Sequence, residues 1–174
     1  YRATQDFRLT ETGLQVTLAL RSLAGHAVPA GLGFHPYLAD AAHSEVQFIA
    51  GKVWMNNEDS LPDREVTIPE YWDYSRFRPP VPLSVDNCFT GWCGNAAVRW
   101  PERKIQARIS SPDARNAVFF IPTAGKNFVA IEPVTHINNA IHLLPADGGS
   151  QAMNLLKPGA SLSVPMHIEV SDYE

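Results

Sequence analysis

Three side chains stand in similar and unusual settings: His35 in GLGFHPYL (residues 31–38), Asp86 in SVDNCFTGW (84–92) and Glu132 in FVAIEPVTH (128–136). Each is a polar or charged group inside an apolar or aromatic run, and both His35 and Glu132 directly precede a proline. A residue before proline is driven out of the helical region into extended backbone, and proline fixes its own φ. His35 and Glu132 should therefore project from stiff, strand-like segments, a backbone suited to a group that must be aimed. An imidazole titrates near neutral pH, so a histidine with two carboxylates offers proton transfer.

Each residue also has a plainer reading. A histidine among apolar neighbours is commonly a hydrogen-bonded core or rim residue, and Asp86 reads equally well as a turn residue accepting backbone N–H bonds. The plain reading is weakest for Glu132, since a glutamate on a buried strand end is costly unless paired or functional.

The positioning elements read as β-structure. Segments 3–10 and 14–20 flank the turn Glu-Thr-Gly as a hairpin, and further strands are expected at 45–49, 52–55, 65–68, 95–100, 104–109, 117–121, 127–132 and 161–170. The 14 prolines and 11 glycines are scattered between these runs, and no window carries a sustained helical period. Many short strands with turn residues between them indicate an all-β antiparallel sandwich or barrel. The absence of a composition break indicates one domain over residues 1–174, long enough to bury roughly 70% of the unfolded surface.

The longest irregular region, residues 56–83, holds five prolines and the aromatics Tyr71, Trp72, Tyr74 and Phe77. It offers either a stacking face for a ligand or a set of anchors pinning the loop to the core.

The net charge of −4 argues against nucleic acid and anionic membrane, which both require a basic face. No apolar run approaches the roughly 18 residues of a spanning helix, and no signal-peptide plan opens the chain. Cys88 and Cys93 are the only cysteines, too few for a disulfide framework, and a reducing, cytoplasmic setting is expected. The chain begins at Tyr1 and runs straight into a strand, as a fragment or processed form of a longer protein would. His26, His43, His136, His142 and His167 read as loop, rim or strand residues. A metal set of His35, His136, His142 and Glu132 matches no dense ligand spacing, so no metal is expected.

GLGFHPYL, SVDNCFTGW and AIEPVTH, in that order and followed by LLKPGASL at 155–162, resemble the aldose 1-epimerases, or galactose mutarotases. The opening hairpin is similar to the one preceding HPY in that family. The resemblance covers the whole chain but only the later part of the family's length. The earlier part, which carries a second active-site histidine and an arginine, matches nothing here.

The resemblance implies a galactose mutarotase-like β-supersandwich lacking its N-terminal strands and therefore exposing sheet edges. It implies that His35 is the acid and Glu132 the base, and that Asp86 binds sugar hydroxyls with Tyr37, Asn87 and Phe34 beside it. No cofactor is implied. The partner is a free hexose, and a homodimer or pairing with a missing N-terminal segment stays open. Three other readings remain: a sugar-binding module without turnover, a glycoside hydrolase using Asp86 and Glu132, and a sugar-phosphate epimerase clamping phosphate through Arg76 and Arg78.

Overall fold

The computed structural model describes residues 1–81, 85–122, 125–143 and 153–173. Ser84, and Pro82 and Leu83 at the end of the long loop, lie outside them. Two antiparallel sheets face each other across an apolar core. The first comprises β1 (Arg2–Leu9), β2 (Gly13–Arg21), β14 (Ser161–Asp172), β10 (Ile105–Ser110), β9 (Asn95–Trp100) and β5 (Glu45–Phe48), in that spatial order. The second runs β4 (Tyr37–Ala39), β12 (Phe128–Val134), β11 (Asn116–Phe120), β8 (Asp86–Thr90), β6 (Lys52–Asn56) and β7 (Pro62–Thr67). A short pair, β3 (Val28–Ala30) and β13 (Asn154–Leu156), stands beside them.

Period-two alternation decides which side chains meet. Val53, Phe89, Phe119, Val129 and Ile131 of the second sheet and Val46, Val98, Ile109 and Val164 of the first are all fully buried. Phe48 sits among Tyr74, Phe89 and Phe119, with ring centroids 5.6, 5.0 and 5.2 Å away. Each such large apolar side chain contributes about 1.5–3 kcal/mol through burial.

The loop aromatics Trp72 and Tyr74 belong to this core, so they anchor the loop; Tyr71 stands outside, edge-on to Trp72. Arg78 donates to the Glu70 and Asp73 carbonyls and bridges to Val46 of β5. It therefore braces the loop against the first sheet, and the second sheet carries Glu132.

The outer face of the second sheet has its own smaller core. Cys88, Val118 and Val134 are covered there by Ile137 and Ala140, with Trp54, Leu143 and Met153 packed around them. Cys88 is thus a buried apolar side chain, and neither it nor the exposed Cys93 forms a disulfide.

Strands β3, β4, β8 and β13 were not expected as such. β4 is too short to show alternation, and β8 begins on Asp86, which reads equally as a turn residue. β1 pairs with β2 along its whole length yet is exposed throughout, Phe7 at 65% and Leu9 at 82%. No described helix is long and apolar enough to cross a membrane.

Candidate active site

The site forms where the segment leading into β4 lies along β12. Gly33 bridges to Val134 and Tyr37 pairs with Ala130. Counting two residues inward from either pair puts His35 opposite Glu132. The alignment is held by hydrogen bonds from Leu32 N to Thr135 Oγ1 (2.9 Å), Thr135 N to Leu32 O (2.9 Å) and Phe34 N to the Pro133 carbonyl (3.0 Å).

The N–H and C=O of one strand residue point to the same side, so Pro133 lacks a donor only toward this irregular edge segment. That is where a proline inside a sheet is tolerated. The glycines of GLG allow the close approach: a Cβ on Gly31 would come within 2.4 Å of His136 Nδ1, and one on Gly33 within 2.8 Å of Val134 Cγ1.

The far end of the edge strand is also fixed. Trp100 Nε1 of the first sheet donates to the carbonyls of Ala39 and Asp40. Asp40 N donates to Asn127 O, and the Asp40 carboxylate takes Asn127, His43 and Arg103 as partners.

His35 Nε2 lies 3.0 Å from Glu132 Oε1. The imidazole is 47% exposed and the carboxylate 13%, so the pair opens to solvent on the histidine side. Tyr37 stacks on His35 with centroids 4.5 Å apart and planes 23° from parallel, and Phe128 meets Tyr37 edge-on at 4.9 Å.

Across four strands Tyr37, Ala130, Phe120 and Asp86 form one row of paired residues. Paired residues share a face, and Glu132 shares it through its i+2 relation to Ala130. Asp86, Glu132 and His35 therefore face the same way.

The electrostatics follow from that grouping. Burial pushes the Glu132 carboxyl up to about 7, and the negative charge of Asp86 pushes in the same direction. Asp86 is also raised by desolvation, opposed by His35. A carboxyl poised near neutrality beside an imidazole is suited to exchanging protons.

Two residues named from the motifs are turned elsewhere. Phe34 is buried in the main core at 7% exposure. Asn87 is also buried; its Oδ1 accepts the Asp86 N–H and its Nδ2 donates to the Trp54 carbonyl, which fastens β8 to β6.

His136 is half-buried against Gly31, and burial lowers its pKa while the Leu32 backbone opposes this. His142 pairs with Asn139 and His43 with Asp40. Among the described residues, no three His, Cys, Asp or Glu side chains gather as a metal ligand set.

The ring contacts of Phe128, and of Phe120 behind it at 6.1 Å, were missed. The signal was present, because Phe128 lies four residues before Glu132 on the same strand and hence on the same face.

A broad cavity of about 870 Å³ lies farther along the sheet, lined by Lys52, Trp54, Glu65, Thr90 and Arg115 among others. There Thr90 and Lys52 both donate to Glu65, and these bonds, that from Thr90 foremost, lower its carboxyl pKa against the effect of burial. Glu65 is thus held there as an ion-paired, hydrogen-bonded carboxylate.

A relative from Escherichia coli strain K12, the uncharacterized protein YphB, is 28% identical over 178 residues, covering 98% of this chain and 60% of that protein. The crystal structure of a candidate aldose 1-epimerase from Escherichia coli K12 superposes with a TM-score of 0.88 at 26% identity, covering 98% of this chain and 60% of its own. A galactose mutarotase-like protein from Clostridium acetobutylicum superposes at 0.80 with 16% identity, covering 98% and 56%, a likeness of fold alone. The chain spans about 60% of the length of these relatives. Residues 1–169 match the family described as Aldose 1-epimerase, and the chain belongs to that family.

Proposed function

We propose that the protein interconverts the α and β anomers of a free hexose by opening and closing the pyranose ring. The observation that carries this reading is the His35–Glu132 contact at 3.0 Å on an open face shared with Asp86. Ionised Glu132 takes the proton from the anomeric hydroxyl while protonated His35 gives one to the ring oxygen. The C1–O5 bond breaks, leaving an aldehyde at C1 and a hydroxyl at C5. Rotation about C1–C2 presents the other face of the carbonyl, and as the C5 hydroxyl attacks C1, His35 takes back its proton while Glu132 gives its proton to the new anomeric oxygen.

The anomeric and ring oxygens are bonded to one carbon, and each needs a partner at about 2.7–3.0 Å. The sugar must therefore replace the direct His35–Glu132 hydrogen bond, which the exposed histidine can yield more readily than the buried glutamate. Asp86, with its row neighbour Phe120, supplies a hydroxyl partner and an apolar flank. Arg78 is committed to its own loop, so nothing in its placement favours a sugar phosphate.

The test is polarimetry of freshly dissolved α-D-glucose and α-D-galactose. Acceleration over the buffer rate supports the reading. Binding of these sugars without acceleration at high protein concentration makes the chain a sugar-binding module instead, and net cleavage of a glycoside makes it a hydrolase.

A further inference from the structure

We propose that Tyr37 is a positioning residue whose ring holds the His35 imidazole in the plane that aims Nε2 at Glu132; its role in catalysis rests on the function proposed above. His35 lies outside the regular strand, between the Gly33 bridge and the first residue of β4, and nearly half of its side chain is exposed. An imidazole so placed has several staggered rotamers and a broad terminal torsion. One hydrogen bond through Nε2 fixes a direction but leaves the ring free to twist about it. A ring lying 4.5 Å away and within 23° of parallel removes that twist.

Residues i and i+2 along extended backbone share a face and stand about 6.5–7 Å apart at their roots in a regular strand, so the 4.5 Å centroid separation is a closer approach than strand spacing alone gives. Tyr37 is itself braced. Phe128, which pairs with Ala39 and is thus diagonal to Tyr37, meets it edge-on at 4.9 Å and 80°. Phe120 stands behind Phe128. Directly opposite Tyr37 is Ala130, fully buried, whose single methyl leaves room for the surrounding rings.

The phenol hydroxyl has no part in this role, and that separates it from a sugar contact. Tyr37→Phe keeps the stack and should hold kcat and KM within about twofold of the parent. Tyr37→Ala removes the stack and should lower kcat about tenfold or more, with little change in KM, since small misplacements of a catalytic group are costly in rate.

A second readout does not depend on turnover. Long-range proton–nitrogen NMR of the imidazoles should show the His35 signals of Tyr37→Ala moved toward those of a free, averaging ring. Tyr37→Phe should leave them in place, and Phe128→Ala should move them partway. Tyr37→Phe as damaged as Tyr37→Ala, or a His35 spectrum unchanged in Tyr37→Ala, overturns the proposal. If the parent protein anomerises no sugar while the spectral pattern holds, the positioning role stands and the proposed function falls.

Discussion

His35 Nε2 and Glu132 Oε1 meet at 3.0 Å because the two residues occupy facing positions in one antiparallel register, fixed by Gly33–Val134 on one side and Tyr37–Ala130 on the other. The contact is built into the backbone pairing of an edge strand, and the side chains only complete it. A register slip of one residue would turn His35 to the opposite face.

That dependence makes Gly33 a sensitive position. A methyl there would press on Val134 Cγ1 at 2.8 Å, and the lighter edge segment should give way before β12 does. Gly33→Ala is expected to lower mutarotation about tenfold or more by displacing His35. Adding Val134→Ala should restore part of the rate. A double variant no faster than Gly33→Ala would show that the close approach at this point does not set the site.

The pH profile should carry the mark of Glu132. In the proposed mechanism its carboxyl is ionised when it accepts the anomeric proton, so kcat/KM should rise with pH through about 7. Asp86→Asn removes a charge that helps hold Glu132 up, and the rise should move to lower pH. It should stay above the ordinary carboxylate range, because burial is the larger cause. A limb that stays put or moves upward in this variant would remove Asp86 from the electrostatic scheme.

The stability of the fold should report the same group independently of any sugar. The folded-state pKa of Glu132 is raised from the ordinary 4.5 to about 7, so the unfolded chain gives up this proton at lower pH than the folded one. Its contribution is fully present below pH 4.5 and lost as pH rises to about 7. Thermal unfolding of Glu132→Gln should lack this loss, so that the variant gains on the parent between pH 4.5 and 8. Parallel profiles for the two proteins would count against a buried, raised carboxyl.

Much of this was legible in the chain. His35 and Glu132 announced themselves as polar groups ahead of prolines in apolar runs, and the strand periods of 45–49, 95–100 and 117–121 reappear as β5, β9 and β11. What misled was adjacency. Successive strand residues point to opposite faces, so Phe34 beside His35 enters the core and Asn87 beside Asp86 ties β8 to β6. Tyr37 and Phe128, two and four residues from a key group, reach the site face instead. The pairing of residues 31–39 with 128–135 could not be read locally, since it joins segments far apart in sequence. The aromatics of 56–83 read equally as ligand face or anchors; Trp72 and Tyr74 serve as anchors because the core between the sheets has room for them.

The most direct measurement is the initial rate of optical-rotation change of fresh α-D-galactose and α-D-glucose with the parent protein, His35→Asn and Glu132→Gln, each verified as folded by circular dichroism. The parent should accelerate mutarotation, and each variant should lose that acceleration by about 10²–10⁴-fold. Near-parental rates in either folded variant, or no acceleration by the parent at high concentration, would contradict acid–base catalysis by this pair.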